Sequence, residues 1–193
     1  MKHKKILIIN GHPSKDSLSE ALANAYTQSA MYSGADVRRI NIRDLKFDPI
    51  LHEGYKKIQS LEVDLKKVQN NLVWAEHLVF IYPIWWGTMP ALVKGFIDRV
   101  FLPGFAFKYT KNSGFPERYF KGKTARVINT SGGPKLYYMF VNPNKKIMKK
   151  PVLGFVGIKN VKFTHFGSMG KKLSQKRAKS IFGKVKKLGK KRA

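Results

Sequence analysis

Three short segments carry the side chains and backbone that could do chemistry. The first is Asn10-Gly-His-Pro-Ser-Lys-Asp-Ser-Leu-Ser19, which runs from an apolar stretch toward a helix start. Free N–H groups and the dipole at such a helix end favour a phosphate, and Ser17, Ser19, His12 and Lys15 could add donors. A capped helix with a solvated loop is the other reading of the same residues. The second is Tyr82-Pro-Ile-Trp-Trp-Gly-Thr-Met-Pro90. Two adjacent tryptophans in a tight loop cannot both enter one core, so one presents a flat apolar face to a planar ligand, or both cover a sheet edge or subunit interface. The third is Thr130-Ser-Gly-Gly133, whose glycines let the backbone approach a ligand. Its N–H groups could stabilise negative charge on an enol-like oxygen or a ring nitrogen, or it is a plain turn. Tyr138, a few residues on, either donates its phenol to the same place or merely packs. Gly-x-Gly-x-x-Gly is absent, and the nearest P-loop imitation, Gly183 to Lys190, has the wrong spacing, with Lys191 where Ser or Thr is needed.

The elements that would position these loops are strands and helices in alternation. Ile6–Ile9 and Leu78–Tyr82 are near-continuous apolar runs, as expected for parallel strands buried on both faces. Ala125–Asn129 is read as a further strand, Val37–Ile42 as an alternating one and Val161–Phe166 as the fifth. Helices are predicted from a Ser17 or Asp16 cap to about Ser33, over Leu61–Ala75, from Pro90 to Val100, in a short piece near 135–149, and over about 173–188. Residues 43–59 read as irregular and 102–122 as a long loop. This alternation predicts an α/β fold, a doubly wound parallel sheet with right-handed crossovers and its ligand at the carboxyl ends of the strands. All three chemical loops fall there.

At 193 residues, with 43 % hydrophobic and 12 % aromatic content, the chain can bury a substantial core and suits one domain, set at 1–188 with a basic tail at 189–193. It lacks a long uncharged apolar run and a signal-peptide core, and it contains no cysteine, which excludes disulfides and thiolate chemistry. A cytoplasmic location is expected. His3, His52, His77 and His165 have no metal-ligand spacing, so no metal is expected. Asp98-Arg99 is read as a local ion pair or dimer contact. The net charge is +27, and it is lopsided: residues 1–117 hold sixteen bases and all eleven acids, while 118–193 hold twenty-two bases and no acid. Such a surface attracts polyanions.

Taken in order, Gly11-His-Pro, Ser17-Leu-Ser, Ala21-Leu, Phe47-Asp-Pro, Pro83-Ile-Trp-Trp-Gly, Met89-Pro-Ala-Leu-Val-Lys-Gly-Phe-Ile-Asp-Arg-Val-Phe101, Pro103-Gly-Phe-Ala-Phe107 and Thr130-Ser-Gly-Gly133 resemble the flavodoxin-like NAD(P)H:quinone oxidoreductase family, which includes the ancillary reductases of bacterial potassium-efflux systems. The resemblance spans about residues 4–170, and the 83–107 block is its most specific part. It implies a five-stranded parallel sheet of order 2-1-3-4-5, usually in a homodimer, with FAD or FMN at the carboxyl edge. By that resemblance His12, Ser17, Leu18 and Ser19 hold the phosphate end of the flavin, and Gln69 matches a glutamine near the cofactor of some FAD-using members. Pro83, Ile84, Trp85, Trp86 and Gly87 pack along the ring, Thr130, Ser131, Gly132 and Gly133 bond its polar edge, and Tyr138 steadies the reduced ring. The implied activity is ping-pong: NAD(P)H gives hydride to the flavin and leaves, and a quinone or similar acceptor takes it from the same slot. An azo- or nitro-compound acceptor would use the same chemistry, and the basic surface suggests NADPH over NADH.

One position departs from the family. Mammalian-type members place a histidine six residues after the tyrosine, whereas this chain has Asn144. A neutral amide donates a hydrogen bond but cannot become a cation. Either the N–H-lined turn suffices, or Lys135 or Lys145 supplies the charge. The alternative function is a non-enzymatic binding or regulatory protein whose basic C-terminal half docks on an anionic membrane or on nucleic acid. Residues 171–193 hold eleven Lys/Arg beside Ile181, Phe182, Val185 and Leu188 at helical spacing. The plainer reading packs that stripe on the sheet. No specific nucleic-acid motif is present.

Overall fold

A computed structural model describes residues 3–110, 116–170 and 173–192. Buried apolar runs become strands, and amphipathic segments become the helices that cover them. In chain order these are β1 (Lys5–Asn10), α1 (Leu18–Tyr32), β2 (Asp36–Asn41), α2 (Val63–Trp74), β3 (His77–Pro83), α3 (Ala91–Val100), β4 (Phe107–Lys108), β5 (Glu117–Arg118), β6 (Thr124–Thr130), α4 (Lys135–Phe140), α5 (Pro143–Ile147), β7 (Asn160–Phe166) and α6 (Gln175–Lys190). The main sheet has five parallel strands in the order β2-β1-β3-β6-β7, which is 2-1-3-4-5 when its strands alone are counted. The expected flavodoxin-like architecture is therefore present.

Alternate residues of the central strands feed two cores. Leu7, Ile9, Leu78, Phe80, Tyr82 and Val127 face α2, α3 and the segment 148–158. Ile6, Ile8, Val79, Ile81 and Ile128 face α1 and α6. Period-two burial on both faces is what a central parallel strand requires. Ser17 caps α1 by accepting from the Glu20 N–H (3.2 Å), as the sequence indicated.

Three expectations need correction. The 102–122 segment is not one loop, because β4 and β5 pair antiparallel within it, Phe107 opposite Arg118; residues 111–115 lie outside the described residues. The helix near 135–149 is two short helices, since Asn142 caps a new one and Pro143 sits in its first turn; Met148–Val152 then forms a π-helical turn. The last helix begins at Gln175, leaving Leu173 ahead of it, and runs through the supposed tail to Lys190. Ala193 lies outside the described residues.

Ile181 and Val185 are buried in the α1-side core, with Phe182 and Leu188 packed against it. Gly189 brings α6 so close to α1 that a Cβ there would lie 2.7 Å from the Tyr26 carbonyl oxygen. The apolar stripe is thus consumed inside the fold. No helix of the described residues is long and apolar enough to cross a membrane.

Asp98 and Arg99 part company on α3. Asp98 pairs with Lys94 one turn earlier (2.7 Å). Arg99 is fully buried, bonding Glu62 (2.9 Å) and the carbonyls of Asp48 and Ser60, so it holds the irregular 45–62 segment against the helix. Its bonds raise no question of catalysis.

Candidate functional site

The register brings the strand ends to one edge. Asn10 lies opposite Ile81, Pro83 opposite Thr130, and Thr130 opposite Phe166. The loops that leave these ends enclose a cleft of about 250 Å³. His12, Leu18 and Ser19 line it from the first loop, Pro83, Ile84 and Trp85 from the second, and Thr130, Ser131 and Gly132 from the third. Nine of the residues singled out from sequence therefore share one wall system, although 120 positions separate the first from the last.

Both ends of the cleft offer backbone donors. At the start of α1, Glu20's N–H is taken by the Ser17 cap, while the N–H groups of Leu18 and Ser19 make no hydrogen bond among the described residues. At the third loop, the Ser131 N–H bonds the Phe166 carbonyl (3.0 Å), leaving the N–H groups of Gly132 and Gly133 without a hydrogen-bond partner among the described residues. A Cβ at Gly132 would meet nothing within 4 Å, so the space in front of that turn is open.

The walls are held from behind. Asn10 donates to Glu20 (2.8 Å), and Glu20 also binds Arg39 and Arg43 (2.8 Å for Arg43). Partial burial pushes the Glu20 carboxyl up, but the hydrogen bonds and charges of Arg43 and Arg39 prevail and hold it below its ordinary range. His12 accepts the Ser14 N–H at Nδ1 (3.0 Å) and stands edge-on to Trp85, ring centres 5.6 Å apart. Burial lowers its pKa, the Ser14 hydrogen bond offsets part of this, and Arg43's charge acts in the same sense as burial.

The tryptophan loop turns tightly between Trp85 and Thr88, which exchange backbone bonds of 2.9 and 3.1 Å, with Trp86 at φ 49° and Gly87 at φ 79°. Trp86 projects fully into solvent and Trp85 is 44 % exposed, so neither belongs to the core. Gly87 abuts Pro143, with 3.5 Å from the place of a Cβ to the proline ring, so α5 lies beside this loop.

Other expected residues stand outside the cleft wall. Ser17 acts as the helix cap just behind it. Gly133 supports the turn: its carbonyl accepts from the Ser168 N–H (2.6 Å) and the Ser131 hydroxyl (3.2 Å). Tyr138 stands against the His165 ring, centres 4.8 Å apart, with no hydrogen bond to its phenol among the described residues. Gln69 sits on α2 and donates to the Val100 carbonyl (3.1 Å), tying α2 to α3 and not lining the cleft.

Asn144 does not stand where a ligand could reach it. It is fully buried, accepts from the Tyr82 hydroxyl (3.0 Å) and donates to Asn129 Oδ1 (3.1 Å). Lys145 is exposed on α5, and the Lys135 side chain lies outside the described residues.

The sequence reading missed Met169 and Gly170, which close the cleft from the loop after β7. Met169 N–H bonds the Ser131 carbonyl (2.8 Å), so this loop and the Ser-Gly-Gly turn form one wall. It also missed His165, whose Nε2 lies 3.2 Å from the Ser131 hydroxyl. The available signal was positional: Gly167-Ser-Met-Gly170 follows a strand at the same carboxyl edge as the other three loops.

Comparison with known proteins agrees with this geometry. Residues 4–188 match the family described as having the flavodoxin-like fold. An NAD(P)H oxidoreductase of Haemophilus influenzae, itself uncharacterised, is 31 % identical over 170 residues, covering 84 % of this chain and 83 % of that one. The chain belongs to the flavodoxin-like NAD(P)H:quinone oxidoreductase family. Mouse ribosyldihydronicotinamide dehydrogenase [quinone] is 29 % identical over 160 residues, 72 % of this chain and 68 % of that one. Among solved structures, the NAD(P)H:quinone oxidoreductase of Methanothermobacter marburgensis superposes with a TM-score of 0.84 over the whole of both chains at 22 % identity, which establishes the shared fold.

Proposed function

We propose that the chain is a flavin-dependent NAD(P)H oxidoreductase of the NAD(P)H dehydrogenase (quinone) type, working by a ping-pong sequence, with a quinone-like molecule as acceptor. The observation that carries this reading is the cleft at the carboxyl edge, with uncommitted N–H donors at both ends and an exposed tryptophan between them.

The donor set fits a flavin, FAD or FMN. Leu18 and Ser19 at the α1 start, with the hydroxyl of Ser19 and with His12, suit the phosphate end. Pro83, Ile84, Trp85, Trp86 and Gly87 provide a flat apolar flank. Thr130, Ser131, Gly132 and Gly133 form the turn at the polar edge, to which Gly132 and Gly133 present N–H groups, and Tyr138, whose ring lies beside Gly133, can donate its phenol there. When bound, the flavin accepts hydride from NAD(P)H and passes it to the acceptor. The chain's own contribution is to orient the ring and to place N–H and O–H dipoles where negative charge builds. Arg39 and Arg43 pair with Glu20 in the first turn of α1, so its carboxylate is compensated and does not repel an anion at the helix start.

The same reading makes residues 1–188 one flavodoxin-like domain in a cytoplasmic homodimer. Trp86, Leu136, Tyr137, Phe140 and Val141 are all strongly exposed beside the cleft. A subunit partner covering that surface would complete the flank that a cleft of about 250 Å³ supplies only in part.

The test is the visible spectrum of the purified protein, followed by release and chromatography of the chromophore. A yellow protein, or a colourless one that takes up FMN or FAD one to one, is the expected result. A protein that refuses both flavins overturns the enzyme reading and leaves the fold standing. In the yellow protein, Tyr138→Phe is expected to lower the NADPH-dependent rate by about 10²-fold with flavin retained.

A further inference from the structure

At the opposite end of the sheet, where β6 and β7 begin, lie two adjoining hollows of about 550 and 350 Å³ that the redox reading leaves without a role. They share Arg118 and Lys159. The larger adds Lys121 and Lys123, and the smaller adds Lys149 and Lys150. No carboxylate lines either one. Glu117, beside Arg118 in β5, lies outside both, and no acid follows it in the chain. Six basic residues therefore line the two hollows, and none of them is in an ion pair among the described residues.

The concavity is built by backbone packing. The Phe120 N–H bonds the Val156 carbonyl (3.0 Å), joining the 118–123 strap to the 154–159 turn. Gly157 makes the contact possible: its φ is +108°, and a Cβ there would lie 2.9 Å from the Lys121 nitrogen and 3.2 Å from the Arg118 Cβ. A side chain would push Arg118 and Lys121 away from Lys159. Lys123 donates its ammonium to the carbonyls of Val73 and Ala75, which line neither hollow, so the other five cations are the ones left for a ligand there. The π-helical turn at Met148–Val152, bonded through Gly154 N–H to the Lys149 carbonyl (3.1 Å), sets Lys149 and Lys150 on the second hollow.

We propose that these hollows bind a linear polyphosphate, an anion with at least three linked phosphates that spans from Lys121 past Arg118 and Lys159 to Lys150. Their volumes suit a small molecule. The guanidinium can grip one phosphate with two parallel donors while the ammonium groups follow the others as point charges. Phe155, the aromatic in the lining, is only partly exposed and already packs edge-on against Phe107, ring centres 4.8 Å apart, so the recognition is of phosphates. Seven residues of strand at about 3.3 Å each put this site about 20 Å from the redox cleft, so both can be filled together.

Inorganic tripolyphosphate titrated into the full chain, followed by calorimetry, tests the assignment. The expected result is saturable one-to-one binding, weakened at least about tenfold in Lys121→Gln/Lys150→Gln/Lys159→Gln, the loss expected from removing charge-assisted bonds. All three lysines are exposed, and an unchanged melting temperature will show that the variant is folded. The control is Lys176→Gln/Lys186→Gln/Lys187→Gln, which removes the same charge from the outer face of α6 and should change affinity less than about twofold. Equal weakening in the two triple variants would mean diffuse charge and overturn the site, as would non-saturable binding. A single-stranded oligonucleotide that binds more tightly than tripolyphosphate and loses that binding in the first variant would reassign the surface to nucleic acid and also overturn it.

Discussion

By the family resemblance Asn144 stands six residues after Tyr138 where a histidine is expected, and its surroundings give the substitution Asn144→Ala a definite expected outcome. The side chain is wholly buried and both its polar ends are used: Tyr82 donates to it and it donates to Asn129, which in turn donates to the Tyr82 carbonyl (3.3 Å). This ring of bonds ties α5 to the ends of β3 and β6. Truncation strands the Tyr82 hydroxyl and Asn129 Oδ1 in the interior, each at a cost of about 1–3 kcal/mol, so about 2–6 kcal/mol in total. For a chain of this size, at about 2–4 °C per kcal/mol, that is a fall in Tm of about 4–24 °C.

Tyr82→Phe removes one of the two bonds and should cost about half as much. The double variant should cost less than the sum, because both single variants lose the same Tyr82–Asn144 bond. The assays are thermal melting by circular dichroism and NADPH-dependent turnover at a temperature well below every transition. Turnover of the folded fraction should stay within about threefold of the parent, since nothing that faces the cleft has changed. A donor acting on the reacting ring would behave in the opposite way: its loss would cost about 10²–10³ in rate and little in stability. An unchanged Tm with a hundredfold slower turnover would refute the structural assignment of Asn144.

Burial, with the charges of Lys4, Arg126 and Lys162, lowers the His77 pKa to about 3, whereas the unfolded ring titrates near ~6.5. The unfolded chain therefore takes up the proton first, so His77 adds stability above pH ~6.5 that is lost as pH falls toward 3, by up to about 1.4 kcal/mol per pH unit. His77→Gln should flatten the dependence of Tm on pH between about 6.5 and 5, and parallel curves would count against it. Arg99→Met strands the Asp48 and Ser60 carbonyls and releases Glu62, and should cost about 3–5 kcal/mol in chemical denaturation; a cost under about 1 kcal/mol would contradict the buried network. Ile181→Ala should cost about 2–4 kcal/mol and leave binding to anionic vesicles unchanged. Loss of vesicle binding at full stability would instead make that stripe a membrane face.

The parts of the site legible in the sequence are those whose signal is local. Ile6–Ile9 and Leu78–Tyr82 are apolar on both faces, and these two and Ala125–Asn129 each end in a loop marked by Gly or Pro, so the carboxyl edge could be located without knowing any contact. What stayed hidden depends on pairings across long stretches of chain. Whether Asn144 faces a ligand or the core is decided by Tyr82, 62 positions away. Gln69 is claimed by a carbonyl on α3, and Met169 reaches the cleft because Ser131 holds its backbone. The apolar stripe on α6 reads the same whether it meets a membrane or α1; what separates the two is Gly189, a residue whose lack of a side chain permits the close approach to Tyr26. The charge asymmetry was plain from composition, but only the fold makes it a place: Gly157 lets the 118–123 strap and the 154–159 turn meet, which gathers cations scattered over forty residues around one concavity.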